Sequence, residues 1–224
     1  MRSNESKESK ALPANIKAVL FDYDGVIADT MADNCRAWQR AFNDFGVNIT
    51  DEEYYMLEGM SPAAIAKELG ARKGLSETAI GQIPVKKAEY YRKDNAFRVY
   101  PEIPDIVREL KRRGIKVGLV SGAARHRIEE MTPHELLSLF DIVVSADDVS
   151  LAKPDPEPYQ KALEFMHLTS SETVVIENAP LGVQSAKAAG IFCIALETTL
   201  PRNMLTDADR VILNHKQLVE LFRF

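Results

Sequence analysis

The sequence IKAVLFDYDGVIAD, residues 16–29, decides the fold of this chain. Its first six residues, Ile16–Phe21, form a short apolar run with β-branched members, which predicts a strand buried on both faces. The run stops at a loop signal that holds Asp22, Asp24 and Gly25. In α/β proteins, ligands bind just beyond the carboxyl ends of parallel strands. The stretch therefore predicts a central strand that delivers two carboxylates to a binding site.

The chain beyond this stretch changes its rhythm after residue 100. Before that point the hydrophobic spacing is helical only, and the candidate helices are Thr30–Phe45, Asp51–Leu57, Ser61–Leu69 and Ser76–Asn95. After it, helical segments alternate with apolar runs that predict strands at Ile115–Val120, Asp141–Val144, Thr173–Ile176, Ile191–Leu196 and Val211–Leu213. This order predicts an α/β protein with a mostly parallel sheet and an all-helical lid inserted after the first strand.

Composition excludes several classes of protein. The chain has 224 residues, 46% of them hydrophobic and 27% charged, with a net charge of -5, so it is a poor candidate for binding nucleic acid, which requires a basic stripe. No apolar run is long enough to cross a membrane, and the polar N-terminus lacks a signal peptide, so we expect a cytoplasmic protein. Cys35 and Cys193 lie in apolar surroundings and are predicted to be buried free thiols. We expect a monomer whose partner is a small molecule. Residues 1–14 are predicted to be a disordered tail.

Polar side chains follow four of the predicted strands. Because parallel strands end at one edge of a sheet, we expect these side chains to meet there: Asp22 and Asp24 after the first strand, Ser121 and Gly122 after the second, Lys153 in the loop after the third, and Glu177 with Asn178 after the fourth. Each is matched to a phosphate group or to a metal ion. The sequence therefore predicts a site that handles a phosphorylated molecule.

The carboxylates of Asp22 and Asp24 suit this chemistry. They are two residues apart and point to the same side of an extended backbone, so they repel unless a cation or a proton lies between them. A hard divalent ion such as Mg²⁺ resolves that repulsion. One carboxylate can attack phosphorus while the other, protonated, donates to the leaving oxygen. Ser121 and Lys153 are predicted to stabilise the transferring group, and Gly25 to let the backbone approach the phosphate.

These motifs resemble those of the haloacid dehalogenase superfamily of phosphotransferases. The first motif of that superfamily, D-x-D-G-x-x-x-D, matches Asp22–Asp29, and the second, a strand ending in Ser or Thr, matches Val117–Ser121. The third, a Lys before Pro, matches Lys153-Pro154, and the fourth, an acidic pair leading into a Gly/Ala-rich helix, matches the stretch from Glu177 to Gly190. The resemblance covers residues 16–224.

The resemblance implies both a domain organisation and a mechanism. It implies a Rossmann-like core of residues 15–32 and 99–224 and a helical cap of residues 33–98. It implies Asp22 as a nucleophile that forms an aspartyl-phosphate, Asp24 as general acid/base, and Mg²⁺ as cofactor. The expected metal set is Asp22, Asp24, Glu177 and Asn178, and the expected phosphate-binding set is Gly25, Ser121, Gly122 and Lys153.

Within the superfamily the chain most resembles the β-phosphoglucomutase-like group, which also holds many sugar phosphatases, but it departs from the pattern of that group. The superfamily usually has an aspartate where this chain has Asn178, which removes one negative charge. Mutases of the branch carry a His where we place Asn34, and an Arg where Pro62 follows the turn at Gly59-Met60-Ser61. Glu58 and Ser61 are predicted to overhang the site from the cap, and an acidic Glu58 there disfavours a second phosphate.

Three functions follow from the sequence. The first is an Mg²⁺-dependent phosphatase for a small phosphorylated metabolite, sugar phosphates and pyrophosphate included. The second is a β-phosphoglucomutase, which needs a cation in the cap to hold a second phosphate. The third is a catalytically silent protein that binds phosphorylated ligands. The cap lysines Lys86 and Lys87 are expected to be solvated, whereas Arg72, Arg92 and Arg98 are the arginines available to reach the cleft.

Overall fold

The computed structural model describes residues 10–222, so most of the predicted tail, residues 1–9, lies outside the described residues. The strands are β1 (Ala18–Phe21), β2 (Lys116–Val120), β3 (Ile142–Val144), β4 (Thr173–Glu177), β5 (Phe192–Leu196) and β6 (Arg210–Ile212). The helices are α1 (Met31–Asn43), α2 (Asp51–Tyr55), α3 (Pro62–Arg72), α4 (Glu77–Asp94), α5 (Ile103–Arg112), α6 (Arg125–Met131), α7 (His134–Leu137), α8 (Glu157–Met166), α9 (Pro180–Ala188) and α10 (His215–Phe222).

The strands form one sheet in the order β3-β2-β1-β4-β5-β6, and every pair is parallel. The first strand lies in the middle, where Phe21 pairs with Leu119 of β2 on one side and with Ile176 of β4 on the other. Each strand predicted from the sequence is present, with its ends shifted by two residues at most. The structure thus confirms the predicted α/β fold.

Helices cover both faces of the sheet. The side chains of β1 alternate between the faces, as the pleat of a strand requires. Val19 and Phe21 pack with α5 and α10 in one apolar cluster. Ala18 and Leu20 pack with α8 and α9 in another. Because β1 is buried on both sides, it reads as a continuous apolar run rather than an alternating one.

The helices α1 to α4 pack around a third apolar cluster of their own, which includes Trp38, Phe42 and Leu69. The two connections between these helices and the sheet run side by side, since the amide of Asp29 donates to the Arg98 carbonyl at 2.8 Å and Ala28 pairs with Val99. The Arg98 guanidinium also contacts the Asp29 carboxylate at 3.1 Å. These helices have an apolar core of their own, and both of their connections to the sheet lie at the same place. The two features support the cap boundaries predicted at residues 33 and 98, which stay a proposal.

Three smaller sequence predictions concern the chain as a whole. Cys35 and Cys193 are both buried free thiols. None of the helices between residues 10 and 222 combines the length and the hydropathy that crossing a bilayer requires. At the described end of the predicted tail, the Lys10 ammonium contacts the Asp209 carboxylate at 2.7 Å, so the chain is attached to the core from that residue onward.

Candidate active site

The carboxyl edge of the sheet brings the predicted site residues together. Asp22 directly follows β1, and its amide donates to the carbonyl of Ile176 in β4 at 2.9 Å. Ser121 directly follows β2, and Asn178 directly follows β4. Since β2, β1 and β4 are neighbours in the sheet, these three side chains share one edge, and all three are buried. Sequence order and strand order together thus assemble the site.

Lys153 is the cation at the centre of this edge. Its ammonium donates to Asp22 Oδ1 at 2.6 Å, to Glu177 Oε1 at 2.6 Å and to the Val120 carbonyl at 3.2 Å. An ammonium has three N–H bonds, so these contacts use all of them. Burial opposes the charge on Lys153, but the carboxylates of Asp22 and Glu177 outweigh it and raise the pKa of this lysine. Lys153 therefore stays charged beside the Asp22 carboxylate.

Glu177 takes a different position from the one predicted. Its Oε1 accepts from Lys153 and, at 2.8 Å, from the Tyr159 hydroxyl, while its Oε2 accepts from the amides of Asn178 at 3.0 Å and Ala179 at 3.3 Å. A carboxylate has about four acceptor positions, so these bonds leave none for a metal ion. In place of the metal-ligand role predicted from the sequence, we propose that Glu177 positions Lys153.

Asp24 is held by three donor side chains. The Arg127 guanidinium of α6 binds its carboxylate with both ends of the fork, at 2.8 Å from Nη1 to Oδ2 and at 2.5 Å from Nη2 to Oδ1. The Thr30 hydroxyl also donates to Oδ1, as does the Asn34 amide at 3.1 Å. Burial acts to raise the pKa of Asp24, but the positive charge of Arg127 outweighs burial and lowers that pKa. Asp24 is therefore ionised in this arrangement.

The cap contributes two charged side chains near Asp24. The Lys87 ammonium donates to Asn34 Oδ1 at 2.5 Å, which contradicts the expectation of a solvated lysine. Burial, together with the charge of Arg127, lowers the pKa of Lys87 to about 8. Glu58 is partly buried, and burial together with the charge of Asp24 raises its pKa to about 7. The cap thus brings one acidic side chain, Glu58, and one basic side chain, Lys87, to the site.

The arginines that the sequence offered for this role are elsewhere. Arg72 and Arg98 are exposed and pair with Glu68 and Asp29 respectively. Arg92 is exposed as well. The cation at Asp24 comes instead from the core, from Arg127.

A cleft of about 250 Å³ separates the cap from the core, and its wall includes Gly59, Ser61, Ser121, Gly122 and Lys153. The cap loop closes tightly on the core, because a Cβ atom at Gly59 would lie 3.3 Å from Lys153 Cβ, and one at Gly122 would lie 3.0 Å from the Gly59 carbonyl oxygen. Gly59 also has a φ of +100°, which favours glycine. Ser61 reaches the cleft and caps α3, where its hydroxyl accepts from the Ala64 amide at 3.3 Å.

One buried oxygen in the site fits a metal ion. Asn178 Oδ1 has no hydrogen-bond partner in the described part of the chain, while its amide nitrogen donates to the Thr199 hydroxyl at 3.0 Å. Asn178 lies against Gly25, where a Cβ atom would be 2.1 Å from Asn178 Nδ2. Carbonyl and carboxylate oxygens are what Mg²⁺ binds, so an unpaired Oδ1 at the same edge of the sheet as Asp22 is suited to hold it.

No preassembled cage of acidic side chains surrounds that oxygen. Across residues 10–222, no group of three or more His, Cys, Asp or Glu side chains is arranged to hold a metal. This agrees with the two findings above, since Glu177 is engaged with Lys153 and the Asp24 carboxylate is engaged with Arg127. Mg²⁺ commonly binds through one or two protein carboxylates and completes its shell with water and substrate phosphate, so the fit does not require such a cage.

Sequence reasoning missed Arg127 and Tyr159 and misjudged Lys87. Each of them lies on a helix and reaches the site through tertiary contacts. No local motif marks them, because the residues around them follow ordinary helical spacing. The single buried residue of α6, Ile128 next to Arg127, is the weak signal that was available for this arginine.

Comparison with known proteins gives consistent matches. The family model for haloacid dehalogenase-like hydrolases matches residues 19–196. The validoxylamine A 7'-phosphate phosphatase of Streptomyces hygroscopicus subsp. limoneus is 31% identical, over 92% of this chain and 95% of that protein. The pyrophosphatase PpaX of Bacillus cereus is 29% identical, over 83% of this chain and 85% of that protein.

Solved structures agree with these matches. A protein of Bacteroides vulgatus, classed provisionally as a β-phosphoglucomutase, superposes with a TM-score of 0.82 at 32% identity and covers 93% of this chain and 89% of its own. CbbY of Rhodobacter sphaeroides, solved with xylulose-1,5-bisphosphate, gives a TM-score of 0.71 at 25% identity, over 88% of this chain and 93% of that one.

Proposed function

This chain belongs to the haloacid dehalogenase-like hydrolase family and is a phosphatase, and we propose that it hydrolyses a small phosphorylated metabolite through an aspartyl-phosphate on Asp22, with Mg²⁺ as cofactor. The observation that carries the proposal is the contact of 2.6 Å between the Lys153 ammonium and Asp22 Oδ1, inside a cleft that the cap closes. A buried carboxylate beside a fixed cation is placed to attack an electron-rich phosphoryl group, because the cation offsets the charge repulsion.

The reaction divides into two displacements. In the first, an Asp22 oxygen attacks phosphorus, the bond to the leaving oxygen breaks, and the leaving oxygen takes a proton. In the second, water attacks the phosphorylated Asp22, loses a proton to a base, and releases phosphate and the free carboxylate. In both displacements the positive charge of Lys153 beside Asp22 offsets the negative charge of the transferring group, and the Ser121 hydroxyl donates to one of its oxygens.

Asp24 is proposed to move the protons. Arg127 binds the Asp24 carboxylate and lowers its pKa, so Asp24 starts ionised and can accept the proton of the attacking water. Giving a proton to the leaving oxygen requires Asp24 to part from Arg127 and to take up a proton first. The nucleophile and the acid/base therefore differ in partner, Lys153 for Asp22 and Arg127 for Asp24.

For the metal, we propose Asp22, Asn178 and Asp24 as the protein ligands, with Asp24 contributing its main-chain oxygen because its carboxylate is engaged. When bound, Mg²⁺ would neutralise charge on the phosphoryl oxygens and orient them.

Removing divalent ions with EDTA is expected to abolish phosphate release, and Mg²⁺ is expected to restore it. Full turnover by metal-free protein would contradict the metal requirement.

Asn178→Asp is expected to lower the Mg²⁺ concentration needed for half-maximal rate, because it replaces a neutral oxygen ligand by a charged one. The measurement is a titration of phosphate release against Mg²⁺ for both proteins. Thr199→Val serves as the control, since it removes the hydroxyl that accepts from the Asn178 amide but adds no charge. An unchanged or larger Mg²⁺ requirement in the Asp variant would show that position 178 is not a ligand.

The function is tested by a phosphate-release screen over phosphorylated metabolites that includes pyrophosphate and β-glucose-1-phosphate. The proposal expects Mg²⁺-dependent release from at least one of them. Binding of these compounds without any turnover would identify the chain as a silent binder of phosphorylated ligands.

The monomeric state and the cytoplasmic location stay predictions.

A phosphoglucomutase is the second candidate, and one observation favours it. The sequence offered no fixed cation for a second phosphate, but Arg127 and Lys87 both lie close enough to Asp24 for their charges to lower its pKa. We still expect hydrolysis for two reasons. The Glu58 carboxyl group lies close to these cations, and this chain has Pro62 where mutases of the branch carry an arginine.

The two reactions are separated by supplying β-glucose-1-phosphate with catalytic glucose-1,6-bisphosphate. The assay follows glucose-6-phosphate against free phosphate. We expect phosphate release from the best screened substrate to be the faster reaction. Formation of glucose-6-phosphate much faster than any phosphate release would identify a mutase.

A further inference from the structure

The chain that follows β1 folds into one tight turn, residues 23–28, which we call the Asp24 turn. The amides of residues 26–28 all donate to the Tyr23 carbonyl, at distances from 2.9 to 3.3 Å, and the whole turn is buried. A single turn has no later amides to bind its last carbonyls, and a buried carbonyl without a partner is costly. The carbonyls of residues 25–27 therefore need donors from elsewhere in the chain.

Two distant side chains supply donors to this turn. The Thr198 hydroxyl, in the loop after β5, donates to the Gly25 carbonyl at 2.7 Å. Nε2 of His215, the first residue of α10, lies 2.7 Å from the Val26 carbonyl oxygen. Because a carbonyl oxygen only accepts, this ring nitrogen must carry the proton and donate it. Both contacts reach the turn from the C-terminal part of the chain.

The ring of His215 is itself held in place by Tyr100. The two rings stack with their centroids 4.0 Å apart and an angle of 24° between their planes. The Tyr100 amide also donates to the Ile27 carbonyl at 3.0 Å, so the third carbonyl of the turn has a partner as well. His215 is buried, and burial lowers its pKa, which keeps the ring neutral at neutral pH. The turn is thus fixed from three separate elements.

We propose that Thr198 and His215 are positioning residues for the phosphatase reaction. They hold the Asp24 turn so that the Asp24 carboxylate and main-chain oxygen keep the orientation that proton transfer and metal binding require. The inference rests on the proposed function, and it adds two residues that act through the backbone rather than by touching the substrate.

The position of the turn matters because groups of the site are attached to it. Asp24 directly precedes Gly25, so the carbonyl that Thr198 binds is one peptide unit away from the Asp24 carbonyl. Gly25 also lies against Asn178, where a Cβ atom would be 2.1 Å from the amide nitrogen. Thr199, the neighbour of Thr198, accepts from that same amide at 3.0 Å. The loop after β5 therefore fixes the turn and Asn178 relative to each other.

The surroundings of the two donors separate them from the substrate. Both border a cavity of about 390 Å³, whose described wall shares no residue with the wall of the cleft. A small misplacement of a reacting group lowers the rate of the chemical step. A loss of either donor is therefore expected to act on kcat and to leave KM nearly unchanged.

Thr198→Val and His215→Phe each remove one donor, and the second keeps an aromatic ring against Tyr100. Each is expected to lower kcat by about tenfold, with KM within about twofold of the wild-type value. Thr198→Ser and His215→Gln keep a donor at the same place and are expected to recover most of the rate. Steady-state kinetics on the best screened substrate measure these effects, after circular dichroism has shown which variants are folded. Thr198→Val, the milder change, decides alone where His215→Phe does not fold.

Thr173→Val is the matched control. Thr173 is buried at the start of β4, at the opposite edge of the sheet, and its hydroxyl also donates to a carbonyl, that of Thr169 at 3.1 Å. We expect Thr173→Val to lower the midpoint of denaturant unfolding as much as Thr198→Val does, and to leave kcat unchanged. An unchanged kcat in Thr198→Val, or an equal loss of kcat in Thr173→Val, would overturn the proposal.

Hydrogen exchange separates this inference from the proposed function, since it requires no turnover. The amides of residues 26–28 are followed by mass spectrometry of the peptide that spans residues 22–30. In Thr198→Val and His215→Phe their exchange is expected to be at least about tenfold faster than in the wild type, and in Thr173→Val it is expected to be unchanged. Unchanged exchange in the first two variants would overturn the positioning role even in an active phosphatase. A wild-type chain without turnover would refute the proposed function alone, and faster exchange would still show that these residues hold the turn.

Discussion

Asp22→Asn is expected to lower the rate of phosphate release by at least about a thousandfold and to leave the fold intact. A neutral amide cannot attack phosphorus, so the first displacement is lost. The substituted side chain has the same shape, and Lys153 keeps its contact with Glu177 at 2.6 Å, so the charge inside the core is still balanced by one carboxylate. Steady-state rates and circular dichroism measure the two effects.

A matched control for this variant lies in the same motif. Asp29 is the last residue of that motif, and its carboxylate pairs with Arg98 near the surface, away from the cleft. Asp29→Asn is therefore expected to change the rate by less than about tenfold. Residual activity of Asp22→Asn above about a thousandth of the wild-type rate would exclude Asp22 as the nucleophile.

Lys153→Met is expected to damage both activity and stability. Its loss leaves the buried carboxylates of Asp22 and Glu177 without their cation, and breaking such a buried pair costs about 3 kcal/mol in the free energy of unfolding. Activity is expected to fall by about 100-fold or more, because the transferring phosphoryl group loses a fixed positive charge. Denaturant unfolding and steady-state rates measure the two losses.

A second substitution separates these two losses. Glu177→Gln in the Lys153→Met background neutralises one of the two orphaned carboxylates, so about 1 kcal/mol of stability is expected to return. Activity is expected to stay low, because the ammonium is still missing. Recovery of activity together with stability would show that Lys153 serves the fold alone.

The sequence was sufficient for the fold and for the position of Asp22 at the carboxyl edge of the sheet. Ile16–Phe21 predicts a buried strand because its apolar run is unbroken, and the loop signal at Asp22 fixes where the strand ends. Parallel strands share one edge, so Ser121 and Asn178 follow by the same reasoning. These features depend on residues close together in the chain, which is why a single sequence reveals them.

The direction of Glu177 could not be obtained in this way. It is the last residue of β4, and consecutive side chains of a strand point to opposite faces. Which of Glu177 and Asn178 faces the ligand depends on the position of Lys153 and Tyr159, both distant in sequence. The structure turns Glu177 toward them and turns Asn178 toward Gly25.

The cations beside Asp24 were also beyond the sequence. Arg127 is separated from Asp24 by 103 residues, and Lys87 from Asn34 by 53. The first contact depends on how α6 packs within the core and the second on how α1 and α4 pack within the cap, and no spacing rule describes such packing. For this reason the sequence did not reveal that two cations act on the Asp24 carboxylate.

The stereochemical course at phosphorus tests most directly whether Asp22 carries the phosphoryl group. A phosphorothioate ester made chiral with oxygen isotopes is hydrolysed in water that supplies the remaining isotope, and the configuration of the released thiophosphate is determined. Each in-line displacement inverts phosphorus, so transfer first to Asp22 and then to water predicts net retention. Net inversion would show a single direct attack by water and would contradict the aspartyl-phosphate.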